Sequence, residues 1–512
     1  MTVLGLVLLW RLLLLVFTAQ PIPANDAFAY DGAVINYLHT GHYCNPSLAI
    51  IFPISGNEVF SMYPPLYQGA LLVWMKFFGT SVLAAMFLHL ALFAISGFLT
   101  LGIVKRFLPA TTNYALAALL FFGFTFGDRP ESLAYVFGLC VLWLTARQIS
   151  ENNFSAGRAM ALLVLLLLGL YTSVIVGAYF FGTAFLACAM AWCWRRKWNC
   201  FLPFIGAAFL FCVITFAIVK LEPRWWAGFL ESAREQSVAV TGFHAPHVPD
   251  VIKLVRTAPV FVLGLFLLPM IYARRKELFA TESAWLALIT AVFVMGWAML
   301  IASMTFLASN YVAYVMFTQV ILAAGLLVLV QKYFTQREQF VRVVLAGCVL
   351  LVAVRAVGLS TWGVACASKN SYRSTQTELH TELGPFVQSD RPVLLSSAFL
   401  YTAADMQVKT AIDCDWYFDH ADWTDQAMLG GLTRLQPAKL VLTQFDYYRS
   451  FAPLLDKLGQ HPEQVEIHLH NLAQVKPPDA IPSLQRVVQH ISWAPVIVDL
   501  SWKTPPPPQM AH

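Results

Sequence analysis

Carboxylates and imidazoles are the side chains that most readily take up and release protons near neutral pH. In this chain they crowd into one stretch that holds Asp26, Asp31, His39, His42 and Glu58. The stretch follows an apolar run at residues 2–19. Ionisable groups at the membrane surface of a hydrophobic protein are costly to place and are functional candidates for that reason. From Asp26 to Leu38 the residues Ala27, Tyr30, Ala33, Val34, Tyr37 and Leu38 recur at helical spacing. That spacing predicts an amphipathic helix lying along the membrane surface. Asn25 is a good N-cap, and Asp26 would occupy the first turn, where the helix dipole favours an anion. The bland account of Asp26 is that it only stabilises this helix start.

The elements that must position these groups are membrane spans. The chain is 58% hydrophobic and 12% charged, against roughly 25% charged in soluble domains. A crossing helix needs roughly 20 apolar residues. Stretches of that kind lie at 2–19, 81–104, 110–127, 131–147, 159–173, 175–194, 200–219, 257–273, 284–303, 311–331 and 343–361, about eleven spans in all. No small-residue cleavage site clearly follows the first, so it is read as a span and not as a signal peptide. The 159–194 stretch is tight for two crossings and needs a turn near Tyr171, Thr172 and Ser173. Residues 66–79 are apolar but short and contain Lys76, which predicts an interfacial or re-entrant helix.

Every second connection carries Lys and Arg: Lys105, Arg106, Arg147, Arg158, Arg195, Arg196, Lys197, Arg274, Arg275, Lys276, Lys332, Arg337 and Arg342. By the positive-inside rule these connections are cytoplasmic. Residues 20–80, 128–130, 220–256 and everything after 361 then lie outside. Of the twelve histidines, all but His89 fall on the outer side. A net charge of +5 gives no sign of a nucleic-acid partner. The nine cysteines show no metal-type spacing. Cys44, Cys366 and Cys414 should face outside, where one pair of them could bridge.

From 370 to 505 the apolar runs shorten to strand length, at 392–398, 439–444, 465–472 and 495–500, with a helical stretch at 449–459 between them. This predicts a small α/β domain. The tail 504–512 has four consecutive prolines and reads as an extended end. The expected organisation is an all-α membrane domain at 1–361, an extracytoplasmic α/β domain at 362–505 and a Pro-rich tail at 506–512.

The order Asp26-x-x-x-Tyr30, Gly41, Pro46, Tyr63-Pro64-Pro65-Leu66-Tyr67, Phe78-Gly79 resembles the opening of the GT-C glycosyltransferases. The likeness is to the protein mannosyltransferase and aminoarabinose lipid A transferase members. Asp128-Arg129-Pro130-Glu131-Ser132-Leu133 is similar to the start of a later helix in that family. The likeness covers about residues 20–145 and beyond that rests on topology. It implies a GT-C-like fold and transfer of a sugar from a polyprenyl-phosphate donor to an acceptor with inversion. It also implies a bacterial inner (plasma) membrane location with the site outside. Asp26 would then be the catalytic carboxylate that takes the acceptor proton. Tyr30, Glu58, Tyr63, Pro64, Pro65, Asp128, Arg129, Glu131 and Arg224 would surround the substrates. No metal is indicated. The expected partners are membrane lipid, the lipid-linked donor and an acceptor of unspecified kind. The chain departs from the family pattern at Ala27, where many members have a second acid, and at Met62-Tyr63, where the aminoarabinose transferases have Glu-Lys. Arg129, Lys220 or Arg224 would have to replace that lysine at the donor phosphate.

Trp225 and Trp226 beside Arg224 have the makings of an interfacial aromatic belt; the functional alternative is packing on prenyl chain or sugar. His244 and His247 lack the acid that would follow in a metalloprotease. Asp413-Cys414-Asp415 is like the DxD of nucleotide-sugar enzymes but should face outside, where nucleotide sugars are not available. With Asp419, His420, Asp422 and Asp425 it reads as a solvated acidic loop. His468 and His470 would share one face of a strand. A transporter or lipid flippase is the competing class; such proteins place charges mid-span and show internal repeats, and no clear repeat is seen here.

Overall fold

The computed structural model describes residues 2–23, 27–108, 114–124, 129–151, 155–195, 198–240, 248–265, 283–305, 309–333, 338–369, 371–419, 425–470 and 492–503. In chain order the first part runs α1 (Thr2–Thr18), α2 (Ala27–Thr40), α3 (Leu66–Phe78), α4 (Val82–Phe107), α5 (Glu131–Glu151), α6 (Ala156–Leu170) and α7 (Val174–Arg195). It continues with α8 (Leu202–Leu221), α9 (Pro223–Val240), α10 (Val248–Thr257), α11 (Ser283–Thr305), α12 (Met316–Tyr333) and α13 (Glu338–Lys369). Among the described residues six helices are long and apolar enough to cross a membrane: Val82–Phe107, Glu131–Glu151, Val174–Trp192, Trp198–Leu221, Trp285–Thr305 and Val312–Gln331. α1 and α6 are apolar but shorter. The protein is a polytopic membrane protein.

Two expectations about this part are corrected. The stretch 110–127 is not one continuous helix. Ala115–Ala118 makes a single α turn, and Leu119–Gly123 tightens into a 3-10 segment. Helix ends inside an apolar bundle need partners for their carbonyls. Buried Arg11 of α1 supplies them, donating from Nη2 to the carbonyls of Phe122 (2.6 Å) and Phe124 (2.8 Å). Gly123 lies so close to α13 that an added Cβ would meet Val352 at 1.6 Å. The second correction is α2. It forms, but not as an amphipathic surface helix, because Ala27 to Ile35 are buried on every side. α3 covers one flank and the C-terminal domain another.

Other expectations hold. Residues 66–79 form the short helix α3. The 159–194 stretch is a hairpin of α6 and α7, turning at Tyr171, Thr172 and Ser173. The two helices touch at Gly169 and Gly177, where a Cβ on Gly177 would lie 2.8 Å from the Gly169 carbonyl. Small residues at such a crossing let two backbones approach in lipid. Of the expected span 257–273, Thr257 ends α10, residues 259–265 are helical, and residues 266–273 lie outside the described residues.

The C-terminal domain is small and α/β, as expected. It consists of α14 (Tyr372–Leu383), β1 (Val393–Leu395), α15 (Ser397–Asp405), β2 (Ala411–Asp413), α16 (Asp425–Leu435), β3 (Lys439–Leu442), α17 (Ala452–Gly459), β4 (Val465–His470) and β5 (Val496–Trp502). The sheet order is β2-β1-β3-β5-β4. β2, β1 and β3 run parallel, and β5 is antiparallel to both β3 and β4. Successive strand residues point to opposite faces, and in β1, β2 and β3 both faces are buried. Val393, Leu395, Val441 and Ile497 join the core of the membrane bundle, while Leu394, Leu440, Leu442 and Val498 form the domain's own core. The buried Trp493 indole donates to the Ala19 carbonyl at 3.1 Å, so the domain is fastened to the end of α1. Cys44 and Cys414 are buried free thiols.

Candidate active site

α2, α3, α4 and α5 converge just beyond α1, and two layers of polar side chains bind them together. The upper layer centres on Glu131, the first residue of α5, where the helix dipole favours an anion. Its carboxylate is buried and accepts from Tyr63 Oη (3.1 Å) and Tyr314 Oη (2.8 Å), both on Oε1. Arg129 approaches it with Nε 3.6 Å from Oε2. The Arg129 guanidinium also donates from Nη2 to Tyr30 Oη at 3.0 Å and lies 5.5 Å from the Tyr30 ring centre. The Tyr30 and Tyr63 rings meet edge to face at 4.6 Å. Pro65 caps the start of α3, and the Leu66 amide after it donates to the Tyr171 carbonyl at 3.3 Å. The Pro64-Pro65 pair thus ties Tyr63 to both α3 and the α6–α7 turn.

The lower layer is made of the chain neighbours of the upper one. Asp31 follows Tyr30 and is fully buried. It accepts from Tyr67 Oη on Oδ1 (2.9 Å) and from Tyr401 Oη on Oδ2 (2.7 Å). Tyr67 Oη also meets His89 Nε2 at 3.0 Å, and His89 Nδ1 meets Ser132 Oγ at 3.1 Å. A hydroxyl has one proton to donate. With the Tyr67 proton on Asp31, a neutral His89 must donate from Nε2 to Tyr67 and accept at Nδ1 from Ser132. The chain of donors therefore runs one way: Ser132 to His89 to Tyr67 to Asp31. Ser132 adjoins Glu131, so the two layers share α2 and α5.

The placement of the expected residues divides into three. Tyr30, Tyr63, Arg129 and Glu131 come together, with Pro64 and Pro65 holding the turn beside them. Glu58 and Arg224 pair with each other at 3.4 Å, but with side chains 46% and 71% exposed. Asp26 and Asp128 lie outside the described residues, as do His244 and His247. Phe28, two residues beyond Asp26, donates its amide N–H to Ser397 Oγ of the C-terminal domain at 3.2 Å. Asn45 secures the same turn, its Nδ2 donating to the carbonyls of Phe28 (3.1 Å) and Ala29 (3.2 Å). Gly32 is what permits this, since a Cβ there would meet the Asn45 amide at 2.6 Å.

The sequence reading missed Tyr67, Ser132, Tyr314, Ser397 and Tyr401 as site components. One signal was available: His89 is the single histidine within a span, and an ionisable residue there marks a site. Asp413, read as part of a solvated acidic loop, is instead fully buried at the end of β2. Its Oδ1 accepts from the Trp416 amide at 3.3 Å. A cavity of about 620 Å³ flanks α2, with Asn36, His39 and Asn45 on one side and Gln388, Gln407 and Lys409 on the other. Among the described residues no three His, Cys, Asp or Glu side chains are grouped so as to hold a metal ion.

No family model and no curated protein matches the chain. Solved structures do. ArnT from Cupriavidus metallidurans bound to undecaprenyl phosphate superimposes with a TM-score of 0.53 at 11% identity, covering 96% of this chain and 98% of that one. The archaeal oligosaccharyltransferase AglB from Archaeoglobus fulgidus, in complex with an inhibitory peptide and a dolichol-phosphate, matches with a TM-score of 0.47 at 11% identity, over 96% of this chain and 77% of that one. The ArnT likeness extends over the membrane bundle and the C-terminal domain together.

Proposed function

Because this chain has the GT-C fold from end to end, we propose that it is a membrane glycosyltransferase. On this reading it moves a sugar from a polyprenyl-phosphate donor to an extracytoplasmic acceptor, with inversion. One observation carries the reading: the residues that match the family's first-loop pattern, Tyr30 and Tyr63, converge on Arg129 and Glu131 of the second pattern, although 99 positions separate Tyr30 from Arg129. The fold match is to a protein that binds undecaprenyl phosphate, which supports a lipid-linked donor. The charge distribution of the connections supports a site on the outer side of the membrane, which on this reading is a plasma (bacterial inner) membrane.

The chemistry asks for two things. The acceptor oxygen attacks the anomeric carbon from the face opposite the phosphate, and its proton passes to the Asp26 carboxylate. The bond between that carbon and the phosphate oxygen breaks, and the electron pair leaves with the lipid phosphate. A carboxylate within hydrogen-bond reach supplies the base. A fixed guanidinium stabilises the growing phosphate charge, and Arg129 is the one we assign. Its orientation is set before substrate arrives, by Tyr30 on one side and Glu131 on the other. Such preorganisation lets the charge act without reorganising at the moment of reaction.

The test is transfer from radiolabelled polyprenyl-phosphate sugars, with release of lipid phosphate, by the wild type and by Asp26→Asn. The substitution keeps the side-chain size and removes the base. Turnover should fall by about 10²–10⁴-fold, the usual range for a general base, while thermal stability stays near that of the wild type. Turnover within a few-fold of wild type would mean that Asp26 is not the base.

A further inference from the structure

Two side chains of the C-terminal domain grip α2, and both do so at the end where the site lies. Ser397 Oγ accepts from Phe28 N–H at 3.2 Å. Tyr401 Oη donates to Asp31 Oδ2 at 2.7 Å. Ser397 and Tyr401 are four residues apart on α15, a spacing that places them on one face of the helix. The Phe28 ring packs edge to face on Tyr401 at 5.1 Å. All four residues are buried.

The first N–H groups of a helix have no partner within it, and the residue just before the helix usually supplies an acceptor. In α2 the Phe28 N–H finds its acceptor in a different domain. Ser397 is itself held from behind, since its hydroxyl donates to Asp413 Oδ2 at 3.4 Å. Asp413 ends β2, and Ser396, which follows β1, donates to Asp446 Oδ2 at 2.5 Å. In open α/β sheets the carboxyl ends of parallel strands form a ligand crevice where the strand order reverses. β1 lies between β2 and β3, so the order reverses beside β1; Ser396 and Ser397 follow β1 at that point, and Asp413 ends the neighbouring β2. There the domain meets α2.

We propose that α15 is a positioning clamp for the site: Ser397 and Tyr401 fix the first turn of α2 and the Asp31 carboxylate, making the C-terminal domain a working part of the active site. Tyr67 shares Asp31 with Tyr401, so the clamp continues through His89 and Ser132 to the start of α5. The kinetic half of this proposal rests on the glycosyl-transfer reading; the structural half does not.

The experiment uses the full chain in lipid nanodiscs, with Ser397→Ala and Tyr401→Phe, and reads two quantities. Amide hydrogen exchange over residues 27–35 should rise about tenfold in each variant, with exchange in α11 and α12 unchanged. Turnover should fall about tenfold at unchanged donor KM, because a loosened base loses its approach geometry and not its substrate contacts. Exchange over 27–35 equal to wild type in Tyr401→Phe, which keeps the ring packing, overturns the clamp. Loosened exchange with wild-type turnover overturns the positioning role. Loosened exchange in a protein whose wild type releases no lipid phosphate from any donor leaves the clamp standing and refutes the glycosyl-transfer reading alone.

Discussion

Among the described residues, those expected to surround the substrates form two arginine–glutamate pairs, and the pairs differ in almost everything except residue type. Arg129 and Glu131 approach to 3.6 Å with side chains 23% and 4% exposed. Arg224 and Glu58 approach to 3.4 Å with side chains 71% and 46% exposed. Distance alone would rank the second pair higher. Water decides otherwise: an exposed pair is screened and its side chains lose entropy when held, so its net contribution is small. Removing one partner of a buried pair leaves an uncompensated charge in a low dielectric. Glu131 also accepts two tyrosine hydroxyls, so its position is over-determined. Glu58 has no such support among the contacts described.

The sharpest way to break this contrast is Arg129→Ala. It removes the guanidinium beside buried Glu131 and the donor to Tyr30. Unfolding free energy should drop by about 3 kcal/mol, the lower end for a broken buried pair since Arg129 keeps some exposure. Turnover should fall by at least about 10²-fold, the scale of a lost oxyanion-type donor. A variant that melts like wild type and transfers sugar normally would place Arg129 on the same footing as Arg224.

An intermediate case lies in the C-terminal domain. Lys439 is buried on β3 and pairs with Glu382 of α14 and with Asp499 of β5, the latter at 3.1 Å. Asp499 also accepts from His470 at 2.7 Å. Burial works to raise the Asp499 carboxyl, but the hydrogen bonds and charges of Lys439 and His470 outweigh it and hold it below the ordinary 3.8. A depressed carboxyl contributes stability above its unfolded pKa and loses it as pH falls through the folded one. Wild type should therefore lose part of its stability below about pH 4, and Lys439→Met should lose less there because the partner is already gone. At neutral pH, Lys439→Met should cost about 1–3 kcal/mol, the penalty for leaving charge-bonded partners unmatched. Parallel stability curves from pH 3 to 7 would show that this cluster contributes nothing specific.

The smallest effect belongs to Arg224→Gln. Stability should change by less than about 0.5 kcal/mol, and donor KM should stay within about twofold of wild type. A tenfold rise in donor KM would move the phosphate contact from Arg129 to Arg224 and reverse the comparison.

Much of this architecture is legible in the chain. Apolar length identifies the six described helices long enough to cross a membrane, and strand-length apolar runs identify four of the five strands, because solvent, lipid or water, acts on each segment locally. The strand Ala411–Asp413 escapes because three residues beside a cluster of acids carry no periodic signal. The interrupted stretch before Phe124 escapes because its hydropathy is that of a span, and the partner of its last carbonyls, Arg11, comes from a distant helix. α2 shows the same limit from the other side. Its sequence reads as a surface helix because its polar positions look like a solvent face, yet α3 and α15 cover it.

By itself the sequence determined which segments leave water, which loop concentrates acids, and which short patterns, around Asp26, Tyr63-Pro64-Pro65 and Arg129-Pro130-Glu131, resemble a known catalytic opening. Only the tertiary structure decided which polar residues act together. Tyr401 is 370 positions from Asp31, and Tyr314 is 183 from Glu131. Hydrogen bonds act over about 3 Å of space, so partners this far apart along the chain leave no trace in spacing or composition. They become partners only when the bundle and the C-terminal domain close on α2.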